Sequence, residues 1–219
     1  MYIGLILLLN IPLVQQQMSV LASRELSALL GSELKVGHIE TGLLNRIVVN
    51  DLMLNDQSGQ EMLKVARLSA RFDILPLLKG KVSISNVQLF GFDIQLRQAT
   101  PQATPNFRFV IDAFARRDSL RRDLRLDLRI NSLLIRRGRV SYDVLSEAPT
   151  PGRFNPRHIC LKDIIATISL KALRTDSLNA AVKRMSITEE NSGFSLKKLS
   201  LKMVGNEQGM EITNFAIDL

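Results

Sequence analysis

Residues 81–96 read KVSISNVQLFGFDIQL. Val82 and Ile84 alternate with polar residues, the pattern of a strand with one buried face. Ser85 and Asn86 then intervene before Val87, and the alternation resumes with Leu89. Strand side chains change face at every residue, so one extra residue should turn the apolar set outward. A β-bulge resolves the conflict. It absorbs the extra residue, bends the strand and keeps the apolar side chains on one face.

The same phrase recurs: apolar, two residues, apolar, one residue, apolar. It fits Val49, Leu52, Leu54; Val65, Leu68, Ala70; and Ile84, Val87, Leu89. It fits again at Ile130, Leu133, Ile135; Leu161, Ile164, Ala166; Leu196, Leu199, Leu201; and Ile212, Phe215, Ile217. The intervals run from 16 to 46 residues, which marks a recurring strand habit and not a strict repeat.

The remaining punctuation supports a mainly β chain. Turn signals stand at NDQSGQE (55–61), and Pro- and Thr-rich or Pro-rich loops stand at 98–107 and 146–158. DILPLLKGK predicts one short helical turn, and FRFVIDAFARR predicts helix to about Arg117. From Leu124 the chain alternates strictly, through Leu126 and Leu128 to Ile130. RRGRVSYDVL predicts a turn at Gly138 and a return through Val140, Tyr142 and Val144. The late strands have no helix between them, so we expect antiparallel hairpins in a long, curved, bulged sheet with a few short helices. Such a sheet can close as a sandwich or barrel core, or fold over an apolar trough.

The chain of 219 residues has room for one large or two small domains. Aromatic residues are 5%, Trp is absent, and the apolar content is mostly Leu, Ile and Val, which suits long sheets better than an aromatic pocket. The net charge of +8 fits nucleic acid, an anionic membrane surface or plain solubility. Cys160 is the single cysteine, so no disulfide forms within the chain.

The opening MYIGLILLLNIPLV is apolar but shorter than the ~20 residues that span a bilayer. It lacks the positive start and small-residue cleavage site of a signal peptide. We expect the outer half of a membrane anchor. MEITNFAIDL stops mid-strand, so the chain reads as a piece of a longer protein. Val20, Leu21, Leu26, Leu29 and Leu30 then predict a short amphipathic helix that Gly31 ends.

Motifs for chemistry are sparse. His158 and Cys160 would share a strand face, but a zinc site needs further ligands at recognisable spacing. His38 stands alone near a turn. The sequence holds no nucleophile elbow, phosphate loop or Gly-rich dinucleotide fingerprint. Between Arg108 and Arg139 lie ten arginines and four aspartates. There the charges occupy positions opposite leucines, which favours a solvated strand face over a basic patch for nucleic acid or anionic lipid headgroups.

These residues resemble a known family. The apolar anchor, LASRELSALLGSELKVGHIE, LMLNDQSGQEML, DILPLLKGKVSISNVQLFGFDI and PNFRFVIDAF are similar to the N-terminal region of TamB-like (translocation and assembly module) proteins of the AsmA-like superfamily, Bacteroidetes type, over about residues 1–145. Beyond that the likeness is to a general β-repeat. The anchor here is short, and the family's C-terminal domain is absent from this chain.

The resemblance implies an inner-membrane anchor, a periplasmic β-groove, and a part in phospholipid transport between membranes or in outer-membrane protein assembly. It implies phospholipid acyl chains as cargo and an outer-membrane barrel protein as partner. It carries over no catalytic residue, cofactor or metal, and we expect no enzyme and no nucleic-acid partner. A scaffold without lipid conduction and a basic peripheral binder of membrane or nucleic acid are the alternatives.

The expected division is 1–31 anchor and amphipathic helix, 32–145 β-groove region, and 146–219 continuing β segment. The groove lining expected from the alternation comprises Val82, Ile84, Val87, Leu89, Ile94 and Leu96. It continues with Leu124, Leu126, Leu128, Ile130, Leu133 and Ile135.

Overall fold

The computed structural model describes residues 12–42, 45–73, 84–113, 130–174, 177–206 and 209–219. Helix α1 (Pro12–Leu30) is followed by nine strands: β1 (Leu34–Gly42), β2 (Arg46–Asn55), β3 (Glu61–Phe72), β4 (Ile84–Gln98) and β5 (Ile130–Val144), then β6 (His158–Arg174), β7 (Ser177–Glu189), β8 (Ser195–Asn206) and β9 (Gly209–Asp218). A short helix covers 108–113. The described strands form a single sheet in sequence order, β1 to β9.

The sheet is mixed, which corrects the expectation of an antiparallel one. β4 and β5 run parallel, with Leu89 opposite Ile135 and Ile94 opposite Val140. All other neighbours are antiparallel. Parallel neighbours need a crossover of a dozen or more residues. The connection over 99–129, which contains the short helix, supplies that length. The predicted turn at Gly138 is likewise corrected: Gly138 lies inside β5. It is glycine for close approach, because a Cβ there would stand 2.1 Å from Phe92 Cζ.

The skipped beats are real backbone events. Asp51, Asp163 and Asn214 each have φ of 54°, in the left-handed region, and each is the second residue of a skipped pair. Asp, Asn and Gly tolerate that region best. At Asp163 and Asn214 two residues face one on the partner strand, and the Ser85, Asn131 and Lys197 phrases also coincide with register shifts. Val65 to Leu68 has no bulge of its own. Its Ala66 lies between Asp51 on β2 and Gly91 on β4, so it keeps register with two bent neighbours.

The template missed two further events. Gly91 (φ 63°) and Arg137 (φ 54°) bend β4 and β5 side by side. The phrase there runs Leu89, Phe92, Ile94 and Ile135, Gly138, Val140, and the glycine hides the second copy.

Helix α1 closes one edge of the sheet. Ser27 Oγ accepts a hydrogen bond from the Leu34 amide (2.8 Å) and donates to the Leu34 carbonyl (3.1 Å). Ser23 Oγ accepts from the Val36 amide (2.9 Å), and Ser19 Oγ from the Ile39 amide (3.0 Å). Four helical residues rise about 6 Å and two strand residues about 6.6 Å, which matches Ser27 and Ser23 to Leu34 and Val36; the next step, from Val36 to Ile39, takes three strand residues. Met18, Ala22, Leu26 and Leu30 pack beside this ladder on β1 and β2. Val20 and Leu21, expected on the packed stripe, are 59% exposed instead. Gly31 ends the helix at φ 66°, as expected.

The anchor expectation covers residues 1–14, of which 1–11 lie outside the described residues and Pro12, Leu13 and Val14 begin α1. Among the described residues no helix is long and apolar enough to cross a membrane.

Candidate functional site

One face of the sheet is apolar from edge to edge. Ile39 pairs with Val49, Val49 with Leu68, Leu68 with Leu89, and Leu89 with Ile135. Ile135 continues to Ala166, Ala166 to Met185, Met185 to Leu199, and Leu199 to Ile217. Every described strand contributes one apolar residue to this row. A second row runs beside it, from Ile47 through Ala70, Val87, Leu133 and Ile168 to Val182 and Leu201. The left-handed residues and bulges keep the rows in phase. Without them the alternation would reverse midway along each strand.

The expected lining residues fall on this face where they are described. Leu89 and Ile135 lie in the first row, and Val87 and Leu133 in the second. Ile94 packs with Val140 and Leu161 around buried Val65, Phe92 and Ile164. Leu96 is opposite Tyr142 at the upper end of β4. Ile84, paired with Phe72, opens β4. Ile130 is the first residue of β5, with backbone register to Leu170. Val82, Leu124, Leu126 and Leu128 lie outside the described residues. The expected lining left out the row residues on β1 to β3 and β6 to β9. On β2, β3, β6, β8 and β9 other copies of the phrase carried their signal, whereas Ile39 on β1 and Met185 on β7 belong to no copy of it.

Cover differs along the face. At β1 to β3, α1 and the short helix seal it: Leu34, Ile39, Leu54, Met62, Phe109 and Ala113 are buried together. A cleft of about 970 Å³ opens there between the last turn of α1, the 56–58 turn and residues 104–113. Its rim carries Glu25, Asp56, Arg108 and Asp112. At the other end the face is open. Ile212 is 50%, Phe215 61% and Ile217 53% exposed.

Polar groups gather at the end of the sheet where β2, β4, β5 and β7 finish. Buried Asp56 accepts hydrogen bonds from the Ser58 amide and hydroxyl, the Gln60 amide and Asn106 Nδ2. Burial pushes this carboxyl up, but the hydrogen bonds outweigh it and hold the pKa below the ordinary value. Glu189, 2% exposed, does the same for the β7–β8 turn. Burial raises its pKa, and bonds from Ser192, the Cys160 amide and the Asn191 amide lower it further than burial raises it. Both carboxylates are turn locks.

His158 is buried between Asp143 Oδ1 (2.9 Å from Nδ1) and the Glu147 carbonyl (3.0 Å from Nε2). Cys160 Sγ lies 3.1 Å from Glu190 Oε2. Burial and that carboxylate push the thiol pKa up, against the pull of Arg139, so the sulfur stays a protonated donor. His158 and Cys160 share a face as expected. Among the described residues no three His, Cys, Asp or Glu side chains are grouped to hold a metal ion. The arrangement locks loops.

The chain matches no protein-family model and no curated protein. Fold and site define a mainly β protein whose described strands form one nine-stranded sheet, apolar on one face and sealed by a helix at one edge.

Proposed function

We propose that the chain belongs to an inner-membrane-anchored periplasmic protein that carries phospholipid acyl chains along its apolar face. The observation that supports this most is the unbroken row from Ile39 to Ile217. The bends at Asp51, Gly91, Arg137 and Asp163 would curl the sheet about that row into a groove. A lipid tail in water costs about 0.8 kcal/mol per exposed CH₂. A continuous row of Leu, Ile, Val and Met removes that cost along the path without holding the tail at any one point. Headgroups stay in water at the open side. Transport between inner and outer membranes is the role that fits such a conduit.

A second reading rests on the sheet edges. The serine ladder covers β1, and β9 is the last described strand in the sheet order. A sheet edge left unpaired would accept incoming strands by β-augmentation, as assembly of outer-membrane barrels would require.

Native mass spectrometry of the purified chain separates the two. Phospholipid adducts that fall in Leu199→Asp/Ile217→Asp support the conduit. A lipid-free chain that binds extended barrel-strand peptides supports the scaffold and overturns the conduit.

A further inference from the structure

The opposite face of the sheet carries a basic ridge. Arg67, Phe90 and Arg136 stand in register on β3, β4 and β5. The adjacent left-handed Gly91 and Arg137 add a third arginine, whose guanidinium lies 5.2 Å from the Phe90 ring centroid. One register step away, Leu134 is opposite Thr167 and Thr167 opposite Arg184. Phe90 is 39% and Ile165 42% exposed on the same face. Arg67, Arg136 and Arg184 form no ion pair among the described residues. The acids nearby are Asp51, level with Ala66 beside Arg67, Asp93, set between Lys64 and Arg139, and Asp163 on β6; Arg139 itself is paired with Glu190.

We propose that this ridge docks on an anionic bilayer surface. Arginines would meet the lipid phosphates, and Phe90 and Ile165 would sit at the boundary between headgroups and acyl chains. Two observations favour a membrane over nucleic acid. The exposed apolar groups beside the arginines include an aliphatic one, which lipid accepts and bases do not stack on. A single aromatic stands where a strand-binding groove would use several. Charge attraction of this kind acts within a Debye length of the surface, about 10 Å at 0.1 M salt. The inference does not depend on what the apolar face carries.

The chain has no Trp, so Phe90→Trp gives one clean reporter in the full chain. We expect a blue shift with vesicles containing phosphatidylglycerol, none with pure phosphatidylcholine, and loss of the shift in high salt. Arg67→Glu/Arg136→Glu in that background should weaken partition by roughly tenfold or more. Phe215→Trp on the apolar face should not follow the same charge dependence. An equal response to both vesicles overturns the proposal. So does displacement from the vesicles by a single-stranded oligonucleotide that binds more tightly than they do, which would mark a nucleic-acid surface.

Discussion

Phe92 of β4 lies across the backbone of Gly138 on the parallel strand β5, so closely that a Cβ at 138 would stand 2.1 Å from the ring's Cζ. The ring is 6% exposed and packs with Val65 and Ile164. The parallel pairing and the apolar face therefore depend on the same contact. Gly138→Ala should cost about 2 kcal/mol, the range of overpacking in a filled site. Phe92→Leu in the same chain should restore part of it. Urea midpoints of the two variants check this, and an unchanged midpoint in Gly138→Ala contradicts the contact.

The left-handed residues make a second test. Asp163 is exposed with φ of 54°, where a β-branched side chain is strained. Asp163→Val should destabilise by about 1–2 kcal/mol, while Asp163→Gly should be neutral or stabilising. The same ordering should hold at Asn214. If Val and Gly are equivalent in thermal unfolding, the bulge geometry is wrong.

How much of this was legible in sequence follows from those residues. The bulges were readable because they shift apolar residues, and apolar period is the strongest local signal. Gly91 and Gly138 were not, because glycine serves turns and close approaches alike, and only the neighbouring strand shows which. The parallel pair was hidden for the same reason: local pattern does not encode which strand comes to lie alongside. The serine ladder left a visible trace at Ser19, Ser23 and Ser27. It went unread because spaced serines usually face water.

That ladder predicts the behaviour of the β1 edge. Replacing Ser19, Ser23 and Ser27 together by Ala leaves the Leu34, Val36 and Ile39 amides without their acceptors. Each lost bond should cost about 1 kcal/mol, and the bared edge should self-associate. Light scattering across a concentration series reads the second effect. A triple variant that stays as disperse and as stable as the parent would show that α1 does not guard the edge.

The turn locks predict an acid limit. Glu189 is held below its ordinary pKa of 4.5 in the folded chain. A depressed carboxyl contributes stability in full above its unfolded pKa and loses it as pH falls through the folded value. Stability should therefore drop as the solution is acidified below about pH 4.5. Glu189→Gln should lower stability at neutral pH and flatten that acid slope. Urea midpoints between neutral and acid pH measure both. A parallel offset at every pH would mean that Glu189 acts through packing alone.

The central claim is that the apolar face holds acyl chains. Photo-crosslinking in cells, within the full-length protein, tests it most directly. Probes belong at Leu89, Ile135, Met185 and Leu199 along the row, with Thr188 and Ser200 on the other face as controls. Phospholipid adducts at the row positions and not at the controls are the predicted result. Adducts at neither set, with crosslinks only inside the sheet, would mean a self-filled face and contradict the account.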